Sequence, residues 1–314
     1  MRASKRNRST DRAPPRMKPS QAEDNPRTPS KERRDPTSKE AHSGGHFFQN
    51  IRNSKSKATD LGKASKGLFG KLTRSGSSHD RENGDETTTE TPENYTPKIM
   101  RLTIIQQTRL TRISKRLEDS RDKTEFWLPA LPWRCIDYLN LKGTEVEGLY
   151  RLSGSKKEMV MWQQRFEKEG DIDLLKEEDL YDVNVVASLL KDWLRNIPDE
   201  IFPRATQKRI QDDCQDINTE RCPKALQDAL SRLPPFNYYL LFAITCHLSL
   251  LTSCYDRTKM DFQNLCVCIQ PSLNLERFIF RILIKDWRNC WQGCWTEKEF
   301  LLKENEWLSS GKDP

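Results

Sequence analysis

Histidine is scarce in this chain: only four of the 314 residues are histidines, and only His247 lies beyond residue 97. Its neighbours in sequence are apolar, which favours a buried core histidine over a catalytic base. The nine cysteines lack zinc-site spacing, because Cys266 and Cys268 form C-x-C, while Cys290 and Cys294 are four apart with no partner pair. We therefore expect no metal site, and we interpret the cysteines as small buried hydrophobic residues.

Catalytic and targeting motifs are also missing. The sequence has no G-x-x-x-x-G-K-[ST] phosphate loop, no protein-kinase set and no G-x-S-x-G elbow. It therefore predicts neither a nucleotide site of its own nor a self-sufficient catalytic group. Residues 1–10 are charged and have no apolar stretch, so no secretory signal is expected there. We expect a cytoplasmic chain with free thiols, because the cytosol is reducing.

Apolar side chains are few in residues 1–97, which hold 16 of them beside 12 Ser, 8 Pro and 7 Gly. This is too little apolar surface to offset the entropy of ordering the chain, so we predict a disordered basic tail and linker. The tail has 20 Lys+Arg against 13 Asp+Glu, whereas the remainder has 33 of each. Since the folded part has no basic excess, we expect no nucleic-acid partner.

Within the tail, residues 52–74 carry seven basic residues and one acid. Leu61, Leu68, Phe69 and Leu72 fall on one helical face of this segment. Basic charge beside an apolar face favours binding to an anionic membrane surface, here the inner face of the plasma membrane. A solvated basic linker is the alternative interpretation.

Residues 233–255 contain no Asp, Glu, Lys or Arg. An uncharged stretch of this length could span a bilayer. Pro234, Pro235 and Asn237 interrupt its apolar character, so we predict a buried core helix.

The remaining pattern is helical, with almost no period-2 alternation. We predict a lead-in helix over 98–125, followed by a single all-α domain over 126–310. The expected domain helices cover 133–142, 155–169, 183–197, 237–253, 261–268 and 278 to the end. Trp287, Trp291 and Trp295 would form one stripe on the last of these, most simply a core stripe.

One loop stands out for its chemistry. Arg151 lies between Gly148 and Gly154, just before a helix that opens with the capping box Ser155-x-x-Glu158. Glycines at these positions allow a backbone that presents a side chain outward.

Two further segments carry candidate polar residues. Lys191 and Arg195 are four apart and project from one helix face in V-A-S-L-L-K-D-W-L-R. Asn264 follows Lys259-Met260, and Pro271 lies seven residues after it.

In their order and spacing these segments resemble the Rho GTPase-activating (RhoGAP) domain, whose pattern is EG-[IL]-[YF]-R-x-SG, VAxLLKxxLRxLP, LPxxN…HL and KMxxxNLxxxxxPxL. Residues 126–129 and 287–291 are similar to a fungal branch of that family. The resemblance implies a RhoGAP-like helical domain, and a partner that is a Rho-family small GTPase in its GTP-bound state.

The resemblance also implies a mechanism. Arg151 would be an arginine finger, inserted in trans to stabilise charge on the transferring phosphoryl group. The partner GTPase would hold both GTP and Mg²⁺, so no cofactor is expected here. A structural arginine or surface salt bridge is the other interpretation of Arg151.

The same resemblance assigns supporting roles. Arg195 would brace the finger loop through its backbone carbonyls, and Lys191 would order the loop or contact the GTPase. Asn264 would hydrogen-bond the GTPase near its switch region, while Pro271 would be structural. The alternatives are a solvated i, i+4 pair for the two basic residues, and a helix cap for Asn264.

The sequence departs from the family pattern at Thr258, Asp199-Glu200 and Gln270. These departures leave the GTPase interface, and which Rho-family member is the substrate, open. Two rival functions stay in view: a GTPase-binding scaffold of RhoGAP fold without activation, and a membrane- or RNA-associated structural protein that uses the tail.

Overall fold

A computed structural model describes residues 95–311, except 215 and 217. The membrane-surface segment predicted over 52–74 lies outside these residues, as does all but the last three residues of the tail predicted over 1–97. The described part is helical, with no β-strand among its elements, so the all-α prediction is confirmed.

Helix labels used below follow chain order. The helices are α1 (Ile104–Thr111), α2 (Lys123–Trp127), α3 (Ala130–Lys142), α4 (Lys156–Glu169), α5 (Val183–Asn196), α6 (Arg204–Asp212), α7 (Lys224–Ser231), α8 (Pro235–Ser253), α9 (Tyr255–Thr258), α10 (Phe262–Cys268), α11 (Gln270–Leu273), α12 (Arg277–Lys285), α13 (Trp287–Cys290) and α14 (Glu297–Ser310). Short 3₁₀ turns lie at Ile99–Arg101, Leu117–Asp119 and Gly143–Glu145.

Helix α8 forms the centre of the described part. Most of its side chains are buried, and it packs against α2, α3 and α12. Pro234 and Pro235 lie at its start, where a missing N–H is tolerated. The uncharged stretch is therefore a core helix, as predicted. Among the described residues, no helix has the length and apolarity needed to cross a membrane.

Helices α3 and α5 pack together and support the loop between α3 and α4. The Asp182 side chain accepts a hydrogen bond from the N–H of Asn184 at the start of α5. Leu190 and Trp193 are fully buried on its inner side. The helix ends before Pro198, because a proline disfavours the helical backbone conformation at the residue that precedes it.

The continuous lead-in helix predicted over 98–125 is wrong. A capping box between Thr103 and Gln106 starts α1 at Ile104, and the backbone turns extended at Arg112. There the guanidinium of Arg112 is buried in an ion pair with Glu304 of α14. A long-range contact thus ends the helix that the basic, helix-like pattern predicted.

The continuous helix predicted from 278 to the end is also wrong, since three helices occupy that range. Gly293, at φ +106, lies in the break between α13 and α14. The tryptophans do not share one helix face: Trp287 is buried and donates its indole N–H to Phe242 O (3.2 Å), whereas Trp295 is 53% exposed.

Candidate functional site

The loop 147–154 is a compact turn closed by its own backbone. Gly148 adopts φ +72, a left-handed conformation that favours glycine. Its carbonyl accepts from the N–H groups of Arg151 (2.8 Å) and Leu152 (3.0 Å). Its own N–H donates to the carbonyl oxygen of Thr258 at the end of α9 (2.8 Å). The first half of the loop is thereby tied to the segment that precedes α10.

Gly154 ties the other end of the loop to the start of α5. A Cβ at this position would lie 2.4 Å from the backbone nitrogen of Val185. The Gly154 N–H also donates to Ser188 Oγ (3.0 Å). The sequence predicted a glycine needed for backbone geometry here, and the structure shows one needed for close packing.

We expect Gly154→Ala to lower the free energy of unfolding by about 1–3 kcal/mol, because the methyl group overlaps backbone that cannot rotate away. It should also speed amide hydrogen exchange at Arg151 and Leu152. Gly170 is the matched control: its position has no atom within 4 Å of an added Cβ, but its φ is +79. Gly170→Ala should lower stability through strain alone and leave exchange in the loop unchanged; equal loop exchange in both variants would contradict the packing argument.

Lys191 is a second side chain of α5 that is hydrogen-bonded to the loop. Its Nζ donates to the carbonyl oxygen of Tyr150, the residue before Arg151 (3.0 Å). Burial and the nearby charge of Arg195 lower the pKa of Lys191. The lysine is thus partly desolvated beneath the loop.

Arg195 makes its hydrogen bond away from the loop, and among the described residues no hydrogen bond joins its side chain to 147–154 as the bracing role would require. Its Nε donates to Ser272 Oγ in α11 (3.2 Å). The reason is geometric: Arg195 lies one helical turn beyond Lys191, so it reaches α11, while Lys191 reaches the loop. The basic pair of α5 therefore joins two different segments.

Asn264 and Pro271 belong to the segment beside the loop. Asp261 caps α10 by accepting from the N–H of Asn264 (2.7 Å). The Asn264 Nδ2 donates to the carbonyl of Lys259 (2.8 Å), which is itself left-handed at φ 53. Asn264 therefore supports the turn that precedes α10. Pro271 lies in the first turn of α11, a position that suits proline.

Three of the four departures from the pattern, Thr258, Asp199 and Gln270, make structural contacts. Thr258 is buried, and its Oγ1 donates to Leu251 O (3.1 Å) in α8, which positions the carbonyl that accepts from Gly148. Asp199 Oδ2 accepts from the N–H of Ile104 at the start of α1 (2.7 Å). Gln270 Nε2 donates to Leu275 O (2.9 Å).

Arg151 is exposed on this loop, which is hydrogen-bonded to neighbouring segments at both ends. Its guanidinium lies over Gly148, with Nε and Nη2 each 3.4 Å from the point that a Cβ of Gly148 would occupy. No hydrogen bond or ion pair joins this guanidinium to another described residue. Leu152 beside it is 52% exposed. The loop therefore offers a cation and an apolar side chain to a partner.

Sequence reasoning missed one residue of the loop. Tyr150 is 2% exposed and has φ 69, an uncommon conformation for an aromatic residue. Its ring lies edge-on to His247. Nothing in the sequence signals a left-handed tyrosine, because only tertiary contacts hold it.

The RhoGAP domain family model matches residues 129–277, a range that contains the loop, α5, α10 and α11. This part of the chain is therefore similar to RhoGAP domains. The matched range contains all five candidate side chains, Arg151, Lys191, Arg195, Asn264 and Pro271.

Curated relatives include fungal proteins, consistent with the branch that the sequence predicted. The chain is 35% identical over 158 residues to the "Probable Rho-type GTPase-activating protein 2" of Schizosaccharomyces pombe, covering 50% of this chain and 12% of that protein. It is 28% identical over 197 residues to the "GTPase-activating protein BEM3" of Saccharomyces cerevisiae, covering 57% and 17%. The chain thus spans less than a fifth of either relative.

Among solved structures, the chain is similar to human Rho GTPase activating protein 15. The sequence identity is 21% and the TM-score is 0.48, over 60% of this chain and 93% of that chain.

Proposed function

We propose that this protein is a GTPase activator for a Rho-family small GTPase, acting on the GTP-bound state. The proposal extends to this chain what the names of its fungal relatives describe, a Rho-type GTPase-activating protein and a GTPase-activating protein. The observation that carries it is Arg151: an exposed arginine without an ion-pair partner among the described residues, on a loop that is fixed at both ends.

Arg151 acts in trans as an arginine finger. Charge develops on the transferring phosphoryl group and the leaving oxygen during hydrolysis, and a guanidinium brings a permanent positive charge in a planar fork that matches phosphate oxygens. The GTPase supplies the nucleotide and Mg²⁺, and this chain supplies the cation. The rigidity of the loop matters because an arginine that is already positioned needs no rearrangement when charge develops in the transition state.

Rigidity comes from the hydrogen bonds at the two ends of the loop and from Lys191 beneath it. A hydrogen bond from a charged donor contributes about 1.5–3 kcal/mol. Loss of this bond would let the loop sample other conformations, most of them with Arg151 misplaced.

We expect Lys191→Met to reduce the rate of stimulated GTP hydrolysis at least 10-fold and to speed hydrogen exchange of the Arg151 and Leu152 amides by a similar factor. Methionine keeps the length of the buried stem but cannot donate to Tyr150 O. Arg195→Met is the matched control for the loop, one turn farther along α5. It should leave exchange at those two amides unchanged, since Arg195 contacts Ser272; faster exchange there would restore a loop-bracing role to Arg195.

The direct test is single-turnover GTP hydrolysis by Rho-, Rac- and Cdc-type GTPases with the full chain. Acceleration of one or more of them supports the proposal and identifies the substrate. Binding without acceleration of any GTPase would instead support a scaffold that has kept the fold.

A further inference from the structure

Tyr150 has an unusual backbone for its residue type. Three described non-glycine residues have a positive φ, namely Tyr150 (69°), Lys259 and Asn274, and Tyr150 alone among them is a buried aromatic. A residue held in this region is strained, and such strain persists only where the surroundings over-determine it. Here the strained residue immediately precedes Arg151.

The Tyr150 ring packs against His247 of α8, which is itself paired with Asn140 of α3, and the His247–Asn140 pair is called the socket below. The Tyr150 ring is 5.8 Å from the His247 ring, centroid to centroid, at an interplanar angle of 75°. His247 is fully buried, and its Nδ1 is 2.8 Å from Asn140 Oδ1. Burial lowers the pKa of His247 to about 3, so the ring is neutral at physiological pH. One aromatic side chain therefore packs the loop against α8, at a histidine that is paired with α3.

The peptide unit that joins Tyr150 to Arg151 is fixed at both of its polar atoms. The oxygen accepts from Lys191 Nζ (3.0 Å), and the N–H donates to Gly148 O (2.8 Å). Because this planar peptide unit is hydrogen-bonded on both sides, it fixes the position of the Arg151 Cα, from which the arginine side chain projects. The φ of Tyr150, 69°, sets the rotation of the preceding peptide plane, which joins Leu149 to Tyr150, relative to the anchored ring.

The socket is not optimised for stability. Tyr150 Oη and His247 Nε2 are both buried, and neither has a hydrogen-bond partner in the described structure. Burying an unpaired polar atom lowers the stability of the fold. Strain and orphaned polar groups, gathered under one loop, are typical of a functional arrangement rather than of a purely structural one.

We propose that Tyr150 is the positioning residue for Arg151: the His247–Asn140 socket and the Lys191 clamp hold Tyr150 left-handed, and this aims the arginine at the GTPase. The inference rests on the proposed function. It assigns to the aromatic ring, rather than to its hydroxyl group, the task of keeping the finger in a productive direction.

The test is a double-mutant cycle on stimulated GTP hydrolysis with the full chain and the GTPase it activates. Tyr150→Leu removes the ring and should lower the single-turnover rate at saturating activator at least 10-fold. Affinity for the GTPase loaded with a non-hydrolysable GTP analogue should change less than 3-fold, because a misplaced finger affects the transition state. Tyr150→Phe, which restores the ring, should recover most of the rate.

The decisive comparison is with Arg151→Ala. If Tyr150 acts through Arg151, the variant carrying both Tyr150→Leu and Arg151→Ala should be no slower than Arg151→Ala alone. A purely structural role would instead reduce the rate further in the double variant. Additive losses, or a Tyr150→Leu rate equal to that of the unmodified chain, would overturn the inference while the activator function stood.

A second variant covers the case in which Tyr150→Leu does not fold. Replacing both Asn140 and His247 with leucine removes the two hydrogen-bond partners together, which leaves no orphaned partner behind. This variant should fold, lower the stimulated rate at least 3-fold and speed exchange of the Arg151 amide. An unchanged rate and unchanged exchange would contradict the socket. If the unmodified chain accelerated no Rho-family GTPase, the proposed function would fail, and this inference with it.

Discussion

Replacing Arg151 with alanine is expected to slow stimulated GTP hydrolysis at least 100-fold, about 2.7 kcal/mol of barrier. Arginine fingers supplied in trans contribute about 10³–10⁵ in rate, so the loss has room to be larger. The physical reason is the removal of a positive charge from a position where negative charge builds in the transition state. Single-turnover hydrolysis at saturating activator measures the loss directly.

Arg151→Lys separates charge from geometry. Lysine keeps the positive charge but lacks the planar fork, so we expect it to recover only a small part of the lost rate. The fold should be unaffected by either change, because the side chain is exposed and contacts its own loop. Full activity in Arg151→Ala would remove Arg151 from the mechanism and mean that another group of the complex provides the acceleration.

Glu304→Ala is expected to lower the free energy of unfolding by about 3–5 kcal/mol. Glu304 is 1% exposed and accepts from Arg109 through Oε1 (2.7 Å), while Oε2 pairs with Arg112. The Arg112 side chain is only 3% exposed, so alanine at 304 would leave a buried charge without its counter-ion. Urea or thermal denaturation of the full chain would measure the change.

Glu299, on the same helix α14, provides the matched control. It forms an i, i+4 pair with Lys303 (2.6 Å), and both side chains are more than half exposed. Exposed pairs of this type contribute at most about 0.5 kcal/mol, so Glu299→Ala should hardly move the transition. A similar loss in the two variants would mean that α14 is sensitive to any substitution, and that the buried ion pair has no special weight.

Local signals predicted several helix ends correctly. Ser155 accepts from the N–H of Glu158 at the start of α4, as its position in the capping box indicated, and α4 ends at Gly170. Lys142 ends α3 before Gly143. These boundaries depend on side chains and glycines within a few residues of the helix end, so short-range chemistry is sufficient.

Long-range packing defeated the same reasoning elsewhere. The basic segment after residue 98 has helical periodicity, yet α1 ends at Thr111. The next residue, Arg112, forms an ion pair with Glu304, which is 192 positions away in the sequence. The three C-terminal tryptophans have helical spacing, yet the chain breaks between α13 and α14. The spacing of apolar residues indicates which side chains are buried in the core. It does not indicate whether the backbone between them forms one continuous helix.

For the site, the residue types and their spacing could be read from the sequence: a RhoGAP-like order of motifs, an arginine between two glycines, and a basic pair one turn apart. Which residue contacts which became visible only in the folded chain. The packing of the helices set these contacts. It assigned the loop to Lys191 and α11 to Arg195, made Gly154 a packing residue, and held Tyr150 left-handed over His247. Residue types and spacing are local properties, whereas these contacts join α3, α5, α8 and α11, whose distances from the loop are set by the packed core.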